Sequence, residues 1–166
     1  MIDQILPDLY RITLPMPFRL RHVHIHVLVH NGKVALFDTG INISETFRVI
    51  DEALATLGKT TGDIDQVFLT HFHPDHCGIA GEIQKRSGAV VRLSAIDERH
   101  LQNNNRLEDL VERTRDFCLR QGLPQRALDT LIKHMAVFRK ATIPFRVDCH
   151  IKQDPLSRCP GRRSTL

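Results

Sequence analysis

The stretch Thr70-His71-Phe72-His73-Pro74-Asp75-His76-Cys77-Gly78 carries four metal-competent side chains within six positions, directly after the apolar run Val67-Phe68-Leu69. Side chains alternate along an extended chain, so His71 and His73 point the same way and can share one cation. Pro74 turns the backbone, so Asp75 and His76 approach from a second direction. Imidazole and carboxylate ligands suit zinc, iron or manganese. The spacing therefore predicts a two-metal site with one pair of ligands for each metal.

Two other interpretations of this stretch involve no metal. Asp75 could be the N-cap of a helix that begins at His76, because aspartate is a favoured cap residue. The histidines could form a solvated turn. Neither interpretation requires the observed spacing, so the metal site is favoured. Cys77 is expected to be a small side chain beneath the loop rather than a ligand.

Residues 70–78 resemble the metal-binding signature of the metallo-β-lactamase-fold hydrolases. Residues 34–40, with the sequence Val-Ala-Leu-Phe-Asp-Thr-Gly, resemble an earlier strand motif of the same family, in the family's order. The resemblance covers about residues 8–95. It implies a layered α/β fold, an αββα sandwich with the metals at one edge of two facing sheets.

The resemblance also implies roles for individual residues. It implies two divalent metal ions, zinc first with iron or manganese as alternatives, and it places their ligands at His71, His73, Asp75 and His76. Asp75 would in addition be catalytic, because it would orient the attacking water. Asp38 is expected to brace the metal loop from beneath through hydrogen bonds. The alternative is that Asp38 is an ordinary turn residue.

The later motifs of the family are absent from this sequence. Its members complete the site with a Gly-His motif, an aspartate and a last histidine, but no Gly-His pair follows Gly78. The histidines that remain are His100, His134 and His150, and we expect His134 to lie on a helix surface. Cys149 and His150 could form a substitute ligand pair, although neighbouring strand residues point to opposite faces. We therefore expect a truncated chain whose metal occupancy is in doubt.

Hydrophobic periodicity predicts the order of elements in the chain. Strands are expected at residues 6–14, 22–30, 33–37, 64–69, 89–93 and 144–151. Asn31-Gly32 predicts a hairpin turn between the second and third of them. Helices are expected from Ser44, which would be the N-cap, from Ile79 and after Ser94. Two amphipathic helices, at about 106–121 and 125–139, form a helical insertion that either caps the sandwich or roofs the site. The apolar residues expected to point inward are Leu107, Leu110, Val111, Phe117 and Cys118 in the first helix and Leu128, Leu131, Ile132, Met135 and Phe138 in the second. The histidines at 22, 24, 26 and 30 share one strand face, which a polar sheet face explains as well as a metal site does. Residues 1–150 thus form one incomplete domain, the first half of the sandwich, and 151–166 a basic, disordered tail.

The composition of the 166 residues is that of an ordinary soluble domain, with 42% hydrophobic and 25% charged residues. The sequence begins without a signal-peptide pattern, which makes the cytoplasm the default location. The four cysteines form no CxxC pair and are expected to be thiols. Three of the four net positive charges lie in residues 151–166, so a nucleic-acid partner is not expected. No membrane partner is expected either.

Two functions from different classes remain after the sequence is read. The first is a metal-dependent hydrolase, in which activated water attacks an ester, thioester, lactone or phosphoester of a small-molecule substrate. A second copy of the chain or another partner would then complete the site. The second is a catalytically incompetent metal-binding fragment or interaction module. A nuclease is a third reading that only the charge of the tail favours.

Overall fold

A single sheet organises the computed structural model, which describes residues 2–104 and 107–151. Its seven strands lie in chain order, β1 to β7, with β1–β4 antiparallel and β4–β7 parallel. The strands are β1 Ile2–Leu6, β2 Leu9–Pro15, β3 His22–His30, β4 Lys33–Phe37, β5 Ile64–Phe68, β6 Val90–Leu93 and β7 Cys149–His150. The helices are α1 Ser44–Thr56, α2 Pro74–Cys77, α3 Ala80–Ser87, α4 Ala95–Asn104, α5 Leu107–Arg120 and α6 Gln125–Lys140, with a 3-10 turn at Thr61–Asp63.

Alternating residues in β2 and β3 divide the sheet into an apolar face and a polar face. Ile12, Leu14, Ile25 and Val27 are fully buried, whereas His24 is exposed, as the alternation in β3 predicts. All seven residues of β2 pair in register with residues 22–28 of β3. The helices α1 and α3 pack against the apolar face.

Two strand predictions were wrong in their bounds. The run predicted at 6–14 is β2, which begins at Leu9, and the separate strand β1 precedes it, because the chain reverses between Leu6 and Leu9. The strand predicted at 144–151 is reduced to Cys149–His150, which pairs with β6 only over Arg92 and Leu93. In contrast, the Asn31-Gly32 turn is confirmed, with φ of 49° and 77°.

The core lies between the sheet and the helices α1 and α3. Ile50 and Leu54 of α1 and Ile83 of α3 are buried in the same apolar cluster as the strands. Helix α1 ends before Gly58, whose φ of 65° is a left-handed conformation that terminates helices. Ser44 was predicted to cap this helix, but its hydroxyl instead donates to the Glu45 carboxylate, because Ile43 occupies the cap position.

The helical insertion packs mostly on itself. Helix α5 contacts α4 and α6, and Leu128 of α6 is fully buried as predicted. Phe117 and Leu131 were predicted to point inward, but they are 60% and 37% exposed. The prediction was wrong because periodicity identifies an apolar face but not a partner that covers it. The side chains of four other residues predicted inward, and of His134, lie outside the described part: Leu107, Leu110, Met135 and Phe138.

Three remaining predictions concern the chain as a whole. The tail predicted at 151–166 lies, beyond residue 151, outside the described residues. Within the described residues, no helix has the length and apolarity needed to cross a membrane. Cys77 and Cys118 are free thiols, but Cys149 is disulfide-bonded, so the prediction of a thiol is wrong there.

Candidate metal centre

Asp38 ties the two sequence motifs together. It follows β4 with a φ of 64°, and its amide donates to the Phe68 carbonyl at 2.8 Å, which extends the parallel pairing to the end of β5. Its side chain is only 5% exposed. The carboxylate accepts from the Thr70 amide at 2.8 Å, from the Thr70 hydroxyl at 2.9 Å and from His76 Nδ1 at 2.8 Å. One buried carboxylate therefore holds both ends of the predicted metal loop.

These hydrogen bonds fix which ring nitrogens of two histidines are free. When the Thr70 hydroxyl donates to Asp38, its oxygen can accept from His71 Nδ1, which lies 3.0 Å away. His76 Nδ1 donates to Asp38 in the same way. A neutral imidazole carries one proton, so both rings keep the Nε2 lone pair for another partner. A metal-binding histidine normally has this arrangement, with its second nitrogen donating to a carboxylate or another acceptor.

The four predicted donors lie together at the edge of the sheet. The His71 ring centroid is 4.6 Å from that of His73 and 4.1 Å from that of His76. Asp75 Oδ2 lies 3.5 Å from His76 Nε2. Within residues 2–104 and 107–151, however, no set of three or more histidine, cysteine, aspartate or glutamate side chains is arranged to hold one metal ion. The donor chemistry fits a divalent metal, and the assignment of ligands stays a prediction.

The electrostatics of the site separate two of the histidines. The hydrogen bond that His76 donates to the Asp38 carboxylate is the main cause that raises the pKa of His76, with help from the Asp38 and Asp75 charges and against the effect of burial. Burial is the main cause that lowers the pKa of His71, and the neighbouring His76 and His73 add to it. A neutral His71 is the form that binds metal. His76 keeps its proton to higher pH because its carboxylate partner is close.

The backbone around the loop is packed too closely for ordinary side chains. Thr39 donates through its amide and its hydroxyl to the His76 carbonyl, at 2.6 and 3.0 Å. A Cβ atom on Gly78 would lie 2.4 Å from the Pro74 carbonyl oxygen and 2.6 Å from that of Gly40. Only glycine fits at position 78. The metal loop therefore sits directly on the Asp-Thr-Gly segment that follows β4.

The model for the metallo-beta-lactamase superfamily matches residues 19–134, well over half of the chain. The chain belongs to the metallo-β-lactamase superfamily. A probable metallo-hydrolase of Bacillus subtilis is 39% identical over 72 residues, which are 43% of this chain and 22% of that protein. A metallo-beta-lactamase family protein of Thermus thermophilus matches with a TM-score of 0.74 and 26% identity, over 90% of this chain and 47% of its own.

A second solved structure shares the fold. A beta-lactamase domain protein from Burkholderia ambifaria has a TM-score of 0.54 and 20% identity over 62% of this chain and 34% of its own. The chain therefore spans about a fifth of the curated relative and about half of the Thermus protein. The predicted fold, the first half of a metallo-β-lactamase sandwich, agrees with the single sheet and its helices.

The positions of Asp75 and Cys77 in this superfamily member decide two expectations about the metal loop. Asp75 lies in the first turn of α2, whose cap residue is His73, so the alternative interpretation of Asp75 as an N-cap is wrong. Cys77 is fully buried, donates to the Phe72 carbonyl at 3.1 Å and has its pKa raised by burial to about 12. A thiol held in its protonated form is a poor ligand, which agrees with the prediction that Cys77 lies beneath the loop.

The later histidines are also engaged. His150 Nε2 lies 2.5 Å from the Glu98 carboxylate, while Cys149 lies opposite Arg92 in the sheet. The described part of the chain therefore does not bring Cys149 and His150 together as a ligand pair. His100 stacks on Phe72 of the metal loop, with ring centroids 5.3 Å apart.

Thr70 and the segment before β7 contribute to the site in ways that the sequence did not predict. Thr70 is the hydroxyl link between Asp38 and His71, but a threonine at the end of a strand is too common to be a signal. The Ile143 amide donates to the Gly78 carbonyl at 2.7 Å. A Cβ atom on Gly81 would lie 2.2 Å from the Pro144 carbonyl oxygen, so this segment crosses α3 at Gly81. A glycine inside a helix was the available signal for that close approach.

Proposed function

We propose that this protein is a metal-dependent hydrolase that cleaves an ester, thioester, lactone or phosphoester by attack of an activated water. The observation that carries this proposal is the Asp38 carboxylate, which holds Thr70 and His76 so that Nε2 of His71 and of His76 remains available. A structural turn needs no such control of ring protons. Membership of the superfamily supports the same chemistry.

The proposal gives each donor a separate task. His71 and His73, which are neighbours in space, hold one divalent metal, with zinc as the first choice and iron or manganese as alternatives. Asp75 and His76 hold the second. When bound, the metals lower the pKa of a water molecule and take up negative charge that develops on the substrate. Asp75 orients that water, and Asp38 keeps the His76 ring in the orientation and tautomer that binding requires.

A second candidate is a metal-binding fragment without catalytic competence. It is favoured by the finding that no three ligating side chains surround one point in the described part of the chain. Two protein ligands leave at least half of the coordination positions of each metal to water, so affinity would fall well below that of a four-ligand site. A partner chain that supplies further ligands would restore the hydrolase.

Metal-dependent turnover distinguishes the two candidates. The full chain is assayed with a panel of aryl esters, thioesters and phosphoesters in added zinc, iron or manganese, and metal content is measured by elemental mass spectrometry. We expect turnover that chelation abolishes and that His73→Ala removes. The matched control is His30→Ala. His30 is exposed at the end of β3, before the β3–β4 turn, and its ring hydrogen-bonds to Asp8. Folded protein without turnover in any metal would overturn the hydrolase and favour the fragment.

A further inference from the structure

The hairpin between β2 and β3 reaches the same edge of the sheet as the metal loop. His26 pairs with Phe37, the last residue of β4, so residues 22–25 of β3 extend beyond the end of β4. Four residues of strand measure about 13 Å, and two strand spacings of about 4.8 Å separate β3 from β5. The hairpin connection at residues 16–21 therefore stands beside the loop that β5 delivers.

Close contacts join the hairpin to the site. A Cβ atom on Gly40 would lie 2.4 Å from Leu14 Cδ1 of β2, and one on Gly78 would lie 2.6 Å from the Gly40 carbonyl oxygen. A single glycine therefore separates the base of the hairpin from the end of the metal loop. The hairpin is closed by the pairing of Pro15 with His22 and by a bond from the Met16 amide to the Arg21 carbonyl at 2.9 Å.

The connection carries positive charge that the described residues do not neutralise. Arg19 and Arg21 are exposed, and no carboxylate of the described chain forms an ion pair with either. No aspartate or glutamate occurs between residues 9 and 37. Arg11, in the same sheet, is by contrast paired with Asp3 at 2.9 Å. Among the described residues, the guanidinium groups of Arg19 and Arg21 therefore have no carboxylate partner, and both lie on the hairpin connection beside the metal loop.

We propose that residues 19–24 form an anion-binding rim, and that the substrates carry a carboxylate or phosphate group besides the bond that is hydrolysed. The proposal rests on the proposed hydrolase function. Arg19 and Arg21 bind the oxyanion, because a guanidinium presents paired donors that match two oxygens. His22 and His24 are exposed on the same strand face and supply further donors. Leu20, 59% exposed between the arginines, contacts the apolar part of the substrate.

A matched pair of substrates tests the rim by kinetics. Mono-4-nitrophenyl adipate and 4-nitrophenyl hexanoate share a leaving group and chain length, but only the adipate ester has a free carboxylate. The wild type in added zinc is expected to prefer the adipate ester. Arg19→Gln/Arg21→Gln is expected to raise KM for the adipate ester by about tenfold or more, which corresponds to the loss of at least one charge-assisted contact, and to remove the preference for adipate over hexanoate. The control Arg48→Gln/Lys85→Gln removes two exposed charges from the helix layer and is expected to change neither.

A binding measurement separates this inference from the hydrolase. The full chain without added metal is titrated with adipate and, separately, with inorganic phosphate, and the amides of residues 16–24 are followed by NMR. We expect the amide chemical shifts of these residues to change on titration in the wild type and in the control, but not in the arginine double variant. Whichever of adipate and phosphate binds more tightly identifies the oxyanion as a carboxylate or a phosphate. Such binding without any ester turnover would support the rim and overturn the hydrolase. Equal turnover of both esters, unaffected by the double variant, would overturn the rim and leave the hydrolase standing.

Discussion

Asp38→Asn changes the hydrogen bonding beneath the metal loop while it keeps the shape of the side chain. Asparagine tolerates the left-handed conformation, so the φ of 64° imposes little new strain. Its oxygen can still accept from the Thr70 amide. The new NH₂ group, however, faces His76 Nδ1, which donates to Asp38 in the wild type. Two donors cannot share one hydrogen bond, so the ring must move its proton to Nε2.

The cost of this change follows from the contacts. The loss of a hydrogen bond to an ionised, buried carboxylate is expected to lower the free energy of unfolding by about 2 kcal/mol. Asp38→Ala also removes both bonds to Thr70 and places alanine at positive φ, so it should cost about 4 kcal/mol. The control is Asp65→Asn, because Asp65 likewise accepts from a backbone amide, that of Val34, but its side chain is 28% exposed. This control should cost under about 1 kcal/mol.

Urea denaturation measures the stability of the three variants, and ¹⁵N chemical shifts of His76 report its tautomer in metal-free protein. We expect Nδ1–H in the wild type and Nε2–H in Asp38→Asn. The Asn variant should then bind zinc more weakly, because the nitrogen that faces the site carries a proton. The reasoning is refuted if His76 keeps its Nδ1 proton in Asp38→Asn, or if that variant is as stable as the Asp65→Asn control.

Three further predictions follow. Asp38 raises the pKa of His76 above its ordinary 6.5, so protonated His76 stabilises the fold fully below pH 6.5, and this stabilisation is lost as the pH rises through the folded-state pKa. Urea denaturation of metal-free protein should therefore show a free energy of unfolding that falls above pH 6.5. A free energy that does not change with pH in this range would contradict the prediction. Gly78→Ala should lower the free energy of unfolding by about 3 kcal/mol, measured by thermal denaturation, because the new Cβ atom would clash with backbone oxygens. In the Gly62→Ala control the new Cβ atom meets only a hydroxyl at 3.5 Å, so little stability should be lost. Equal losses of stability in the two variants would refute the packing argument. Iodoacetamide at about pH 8 should modify the half-buried Cys118 in the native protein. Cys77, whose buried thiol has a pKa of about 12, should react only after denaturant is added. Modification of Cys77 in the native protein would show that the loop opens.

The sequence could predict the parts of the site that local pattern specifies. The alternation in β3, the Asn31-Gly32 turn and the spacing of the metal loop all depend on neighbouring residues, and the structure has the strand and the turn where they were expected. Asp38 was identified through a resemblance between motifs, because nothing in a single Asp-Thr-Gly shows that the aspartate bonds to a loop 32 residues later.

Other features depend on tertiary contacts that no local pattern encodes. Phe117 lies on an apolar helix face, but the sequence could not show that α5 packs against other helices and leaves this residue 60% exposed. His150 was considered as a ligand because of its type, whereas its position opposite Leu93 brings it to Glu98. The contact between His150 and Glu98 depends on the pairing of the short strand β7 with β6, which the local sequence does not specify.

The hydrogen bonds of Asp38 also determine when the site can form as the chain folds. Its partners Thr70 and His76 lie 32 and 38 residues further along the chain, on the far side of α1. These bonds require the parallel pairing of β4 with β5, which brings together distant segments and forms slowly for that reason. The Thr70 amide should then exchange its proton with solvent only when the sheet itself opens, so the site is as persistent as the core.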